Sequence, residues 1–219
     1  MTFNNVFHGK KVLITGNTGF KGSWLSVWLL KLGADVIGIS KDIPTDPSMF
    51  VDLNLSEKIK FYEEDVTNQL KIQDIIANDQ PDFIFHLAAQ AIVSESYTKP
   101  YETINTNVLG TASILESLKS YKKKCTVIII TSDKCYDNVE WPWGYKETDK
   151  LGGKDIYSGS KGAAELIINS YVKSFFEDSD LIKIGVGRAG NVIGGGDWAR
   201  DRIVVDCIKS WSKNKPVEI

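Results

Sequence analysis

Metal-binding side chains are scarce in this 219-residue chain, which has three cysteines, Cys125, Cys135 and Cys207, and two histidines, His8 and His86. No Cys-x-x-Cys occurs and any pairing leaves one cysteine over, which argues against a disulfide framework and against a zinc site. No metal is expected. An excess of one charge is also lacking, since 26 basic residues face 28 acidic ones for a formal net charge of −2. The only basic run, Lys122-Lys123-Lys124, falls between a helical and a strand-like stretch and reads as a solvated helix end, so no nucleic-acid partner is expected. No apolar stretch reaches membrane-spanning length, and Met1 to Lys10 lacks the charged start, apolar core and small-residue cleavage site of a signal peptide. A membrane partner is therefore not expected, and the cytoplasm is the default location.

What the chain does have is 42% hydrophobic residues, enough to bury the core of one domain or slightly more. Short β-branched runs predict strands at Lys11 to Thr15, Asp35 to Ile39, Ile59 to Tyr62, Phe83 to Leu87, Val127 to Thr131 and Ile182 to Val186. Amphipathic stretches between them predict helices at Gly19 to Leu32, Leu70 to Asp79, Tyr101 to Tyr121 and Asp155 to Phe176, with a last one from about Arg202 to Lys213. Strand-helix alternation over this length predicts an α/β fold with a doubly wound, Rossmann-type parallel sheet. Tyr136 to Lys154, which contains Trp141-Pro142-Trp143-Gly144-Tyr145, breaks the rhythm, and a long irregular loop in a compact domain is usually functional. The ending Pro216-Val217-Glu218-Ile219 is strand-like with no polar tail and reads as cut off.

Ser132-Asp133-Lys134 follows the apolar run Val127 to Thr131 directly and precedes the lone Tyr-x-x-x-Lys of the chain, Tyr157 to Lys161. Polar side chains at the carboxyl end of a buried parallel strand mark the opening of a site. Here they bring an acid and a base, and with the Tyr157 phenol this is more proton-transfer equipment than a simple dehydrogenase needs. The plain alternative is a polar loop beside a chance spacing. Tyr157 and Lys161 stand four apart and share a helix face, where an ammonium beside a phenol is expected to lower its pKa and make it a usable base. Gly16-Asn17-Thr18-Gly19-Phe20-Lys21-Gly22 follows the first strand and opens the first helix, as a turn that lets backbone N–H groups approach a pyrophosphate would. Trp24 and Trp28, also four apart, read as helix packing. Gly194-Gly195-Gly196-Asp197-Trp198 reads either as a mobile loop near a substrate or as a plain glycine turn.

The Gly-x-x-Gly-x-x-Gly spacing resembles that of the short-chain dehydrogenases/reductases, and the rest of the chain resembles their extended branch of epimerases and dehydratases. The resemblance makes Ser132, Tyr157 and Lys161 the Ser-Tyr-Lys arrangement of that family, with Lys161 also on the nicotinamide ribose. It implies that Ser40 or Asp42 serves the adenosine ribose, while Lys41 could instead favour a 2′-phosphate, so NAD is preferred and NADP stays open. Asp65-Val66 resembles the adenine-contacting segment, with an N-cap or turn role for Asp65 as the alternative. Leu87-Ala88-Ala89-Gln90 matches the small-residue loop beside the cofactor, and Asn107, in Asn107-Val108-Leu109-Gly110-Thr111, the fourth-helix signature. Asn191, in Arg188 to Gly194, matches the asparagine that meets a sugar nucleotide, and Arg202 joins Ser132 and Asn191 as a substrate residue.

Within that branch, epimerases carry small, non-ionisable residues after the Ser or Thr, and thymidine-type dehydratases carry Asp-Glu. Ser132-Asp133-Lys134, with Gly16 to Trp24 and the Trp141 to Tyr145 loop, is similar to the CDP-glucose 4,6-dehydratase family from about Phe7 onward. Val205 and Ile156 depart from it where proline is the expectation. The resemblance implies an NAD-dependent lyase forming CDP-4-keto-6-deoxy-D-glucose from CDP-D-glucose in deoxysugar biosynthesis, without net redox change. Tyr157 would act on the carbon 4 hydroxyl with Ser132, Lys134 on the carbon 5 proton and Asp133 on the departing carbon 6 hydroxyl. It also implies that residues 1–219 form the dinucleotide-binding domain with most of a smaller substrate-binding part missing. A homodimer is expected through the helices containing Asn107 to Lys119 and Tyr157 to Phe176. The rival readings are a nucleotide-sugar epimerase and a non-catalytic dinucleotide-binding fragment.

Overall fold

Strands buried on both faces form where β-branched residues run together, because each successive side chain then finds apolar cover on alternate sides. The computed structural model describes residues 2–217. Its strands are β1 (Lys11–Thr15), β2 (Asp35–Ser40), β3 (Lys60–Glu63), β4 (Phe83–His86), β5 (Cys125–Ser132) and β6 (Ile182–Ala189). They form one parallel sheet in the order β3-β2-β1-β4-β5-β6, the doubly wound order expected. Strand β6 runs three residues past its predicted end because Arg188 and Ala189 continue the pairing opposite Thr131 and Ser132.

The helices are α1 (Phe20–Lys31), α2 (Met49–Asp52), α3 (Gln69–Asp79), α4 (Val93–Thr98), α5 (Pro100–Ile104), α6 (Gly110–Lys119), α7 (Ile156–Tyr171) and α8 (Ile203–Trp211). The single helix predicted over 101–121 is interrupted by a π turn at Asn105–Leu109 that joins α5 to α6, and α7 likewise ends in a π turn at Val172–Phe176. A π turn carries an extra residue and redirects side chains, which no apolar period records. Helices α2 and α4 have no counterpart in the sequence pattern, since they are short and Val-Ser-Glu-Ser-Tyr-Thr has no apolar stripe. Pro216 and Val217 are not strand, and Glu218 and Ile219 lie outside the described residues, as does Met1.

On one face Leu13, Ile37, Ile84, Val127 and Ile129 meet Ile72 and Ile76 of α3, Leu115 and Leu118 of α6 and Ile168 of α7. On the other Val12, Ile14 and Val36 meet Leu29 of α1 and Phe50 of α2. Each fully buried side chain of this size contributes roughly 2 kcal/mol. The two layers hold the carboxyl ends of β1, β4 and β5 side by side, and the chain reverses its winding between β1 and β4, where such sheets open a crevice.

Candidate active site

The glycine turn fills that crevice from the β1 side. Gly16 has φ +73°, and a Cβ on it would stand 2.8 Å from the Ala88 amide nitrogen, while a Cβ on Gly22 would collide with the Gly16 carbonyl. Only glycine allows this close approach. Helix α1 opens at Gly19 without a side-chain cap, which leaves its first N–H groups free for an anion. Asn17, expected at the cofactor, is fully buried behind the turn, where its side chain accepts from Ser40 Oγ at 2.9 Å and packs so closely that Gly38 has no room for a Cβ. Ser40 in turn accepts from the Thr18 N–H at 3.3 Å, and Thr18 Oγ1 donates to the Asp42 carbonyl at 2.7 Å. These contacts set the shape of the turn, and Ser40 stays on the cavity wall with its hydroxyl committed to it.

One cavity of about 710 Å³ brings most of the expected residues together, a volume in the usual range for small-molecule sites. Gly16, Thr18, Gly19, Phe20, Lys21, Gly22, Ser40, Asp65, Val66 and Leu87 to Gln90 line it with Ser132, Asp133, Lys134, Tyr157, Asn191 and Arg202. Asn17, Asn107 and Lys161 do not. Asp65 lines the wall while its carboxylate accepts from the Thr67 N–H and hydroxyl at 2.9 and 2.8 Å, so the turn role holds whatever else Asp65 does. Burial lowers the Lys21 pKa, the nearby Arg202 charge lowers it further and Asp197 opposes them. Clustered cations of this kind suit phosphate groups.

At the far side Ser132 caps a single 3₁₀ turn, Asp133–Cys135, accepting from the Lys134 N–H at 3.2 Å and donating to Asp133 Oδ1 at 3.1 Å. That turn leaves Asp133 and Lys134 exposed toward the cavity and Ser132 buried. Tyr157 sits in the first turn of α7, which starts there because Asp155 accepts from the Ser158 N–H and hydroxyl at 2.9 and 2.7 Å. Burial pushes the Tyr157 phenol up, and the Ser132 hydroxyl and then the Arg202 charge pull it only part of the way back. The expected lowering by Lys161 is thus corrected. Lys161 lies one turn deeper in α7 and 6% exposed, and burial, followed by the Lys21 charge, moves its own pKa down to about 8.

Three networks behind the wall leave little trace in the sequence. In the first, the Ala88 N–H donates to Thr15 Oγ1 at 3.2 Å, Thr15 meets His86 Nδ1 at 2.7 Å, and His86 Nε2 meets Thr111 Oγ1 at 3.1 Å. Thr111 donates to the Asn107 carbonyl, so His86 must carry its proton on Nε2, and burial lowers its pKa to about 3. Asn107, in the π turn, accepts from the Gln90 N–H at 2.9 Å and donates to the Gln90 carbonyl and Ser160 Oγ at 3.1 and 2.8 Å. It holds the Leu87 to Gln90 loop against α7 and does not reach the cavity. A polar His86 inside a buried strand was the available signal.

In the second network Arg188 grips Glu165 with Nε and Nη2 at 2.9 and 2.8 Å, and Thr131 donates to the same carboxylate at 2.6 Å. Glu165 is one turn past Lys161 on α7, and burial would raise its pKa, but the bonds from Arg188 and Thr131 outweigh that and hold it low. The guanidinium also lies 4.7 Å over the Tyr136 ring, which stacks on Tyr145 at 5.1 Å, and Trp141 and Trp143 extend the stack. The Trp141 to Tyr145 loop therefore backs the Ser132 segment and does not line the cavity. The third corrects the reading of the tryptophans. Trp24 and Trp28 are both about half exposed, Trp24 Nε1 donates to the Gly195 carbonyl at 2.9 Å, and Trp28 meets Phe3 edge-on.

A 3-2-1-4-5-6 parallel sheet with an uncapped glycine turn facing an acid, a base and a phenol across one cavity defines a doubly wound nucleotide-site protein of the extended short-chain type. The chain belongs to the GDP-mannose 4,6 dehydratase family, whose model matches residues 13–179. It is 47% identical over its whole length to a CDP-glucose 4,6-dehydratase of Salmonella typhimurium, and spans 62% of that relative. A CDP-paratose 2-epimerase of Salmonella typhi is 31% identical over 75% of this chain and 54% of its own. Among solved structures, UDP-glucuronic acid 4-epimerase of Bacillus cereus, in complex with UDP-glucuronic acid and NAD, superposes with a TM-score of 0.81 at 27% identity, covering 94% of this chain and 64% of the other.

Proposed function

We propose that this chain is the dinucleotide-binding domain of an NAD-dependent hydro-lyase that turns CDP-D-glucose into CDP-4-keto-6-deoxy-D-glucose. The observation that carries the reading is the 3₁₀ turn at the end of β5, which presents Asp133 and Lys134 beside Ser132 and Tyr157 in the cavity that the glycine turn lines. The relative at 47% identity and the B. cereus NAD complex support it. The residues fit the dinucleotide, because the glycine approach at Gly16 and Gly22 and the uncapped start of α1 make room and donors for a pyrophosphate. NAD, when bound, supplies reversible hydride transfer.

Tyr157 takes the proton from the carbon 4 hydroxyl, assisted by Ser132, and Lys161 supports the cofactor ribose from the depth of α7. Oxidation at carbon 4 acidifies the proton on carbon 5, which Lys134 removes while Asp133 protonates the departing carbon 6 hydroxyl. Asn191 and Arg202 hold the sugar nucleotide, and the Lys21 and Arg202 charges receive phosphates. We place the enzyme in the cytoplasm as a homodimer, with exposed Leu109 and Leu166 on the two long helical stretches supporting the interface. In the intact enzyme Lys134→Ala should block loss of water while NADH absorbance still develops, and Tyr157→Phe should suppress that absorbance itself, each by on the order of 10²- to 10⁴-fold. Near-normal product formation by Lys134→Ala would return Ser132-Asp133-Lys134 to a polar loop and favour an epimerase.

A further inference from the structure

Beyond β2 the cavity mouth carries five charges of alternating sign. Lys41 Nζ lies 3.3 Å from Glu102 Oε1, Lys99 Nζ lies 3.7 Å from Glu102 Oε2 and 3.2 Å from Glu95 Oε1, and Arg200 Nη2 lies 3.1 Å from Glu95 Oε2. All five residues line the cavity. Lys41 directly follows Ser40, the last residue of β2, and the bond from Thr18 to the Asp42 carbonyl ties this turn to the glycine loop. In a doubly wound fold that strand end reads the 2′ position of the adenosine ribose, where a carboxylate suits a hydroxyl and a cation suits a phosphate. Lys41 alone argues for phosphate. Glu102, 61 residues further along, pairs with that ammonium and cancels the charge it would offer a ligand.

We propose that Glu102 is a specificity-determining residue that selects NAD over NADP by occupying the Lys41 ammonium. The proposal rests on the dinucleotide reading above. Lys41 and Glu102 are 41% and 44% exposed, so their ion pair is screened and adds little to folding, yet it decides which charge stands at the strand end. A 2′-phosphate would have to displace the carboxylate from Lys41 and then lie beside it. A 2′-hydroxyl carries no charge and can donate to the carboxylate or accept from the ammonium.

The test is calorimetric titration of NAD⁺ and NADP⁺ into the wild-type chain, Glu102→Gln, Lys41→Met and the double variant at low ionic strength. The wild type should bind NAD⁺ more tightly. Glu102→Gln should lower the ratio of the NADP⁺ to the NAD⁺ dissociation constant by on the order of fivefold or more, as expected when the released Lys41 ammonium meets a phosphate about 4 Å away in water. Lys41→Met should raise that ratio, and in the double variant most of the Glu102→Gln gain should vanish because it acts through the freed lysine. A ratio in Glu102→Gln within about twofold of the wild type would overturn the proposal, as would a double variant that keeps the full gain or a wild type that prefers NADP⁺. A wild type that binds neither dinucleotide would bring down the dinucleotide reading itself, and this proposal with it.

Discussion

Lys161→Met should stabilise the protein at neutral pH. Lys161 is 6% exposed, and burial with the Lys21 charge moves its pKa from 10.5 to about 8. Below pH 8 it is charged in both folded and unfolded states, and holding that charge in the fold costs about 3 kcal/mol, taking about 1.4 kcal/mol for each pH decade. Between pH 8 and 10.5 the unfolded chain binds the extra proton, so stability rises with pH there and the cost disappears above the window. Methionine keeps the length of the side chain and brings no charge. Urea unfolding at a series of pH values from 7 to 10.5 should show the variant ahead by up to about 3 kcal/mol at pH 7, with the gap closing through the window. Cys125 and Cys135, raised by burial to about 12 and about 11, act in the opposite direction, but they are common to both proteins and cancel in the difference. A gap that stays constant with pH, or a variant less stable at pH 7 than the wild type, would refute the placement of a charged Lys161 in a desolvated site.

Two further outcomes follow from the packing. Gly22→Ala should cost about 1–3 kcal/mol in urea unfolding, because the new methyl group overlaps the Gly16 carbonyl, and should weaken NAD⁺ binding about tenfold or more in calorimetry. Retained affinity would mean that the glycine turn does not cradle the pyrophosphate. Glu165→Gln leaves the partly buried Arg188 guanidinium without its charge partner and should lower stability by about 2 kcal/mol, with Glu165→Gln/Arg188→Met recovering at least half of the loss. A loss below about 1 kcal/mol would show that the pair does not anchor the end of β6 to α7.

The sequence by itself determined what local patterns can carry. Short β-branched runs marked six strands and their order of alternation with helices, and the glycine spacing after the first strand marked the turn that approaches Ala88. Ser132-Asp133-Lys134 was legible because consecutive polar residues at the carboxyl end of a buried parallel strand stand where such a sheet opens its site, and Tyr157 through its four-residue spacing from Lys161. Only the tertiary structure decided which of these residues reach a common cavity and which stand behind it. Asn107 and Lys161 stand in one dimension like the residues of the wall, and only the fold sets both behind it, the first aimed from a π turn at Gln90 and Ser160 and the second one turn deep in α7. The pairs that shape the site, Glu165 with Arg188, Glu102 with Lys41 and His86 with Thr15 and Thr111, join distant segments, and no local pattern records which partner a charge or a hydroxyl meets. Burial then sets the protonation of those groups. It raises the Tyr157 phenol and lowers the Lys161 ammonium against the simple expectation from their four-residue spacing, because desolvation depends on the surroundings of a group and not on its neighbours in the chain.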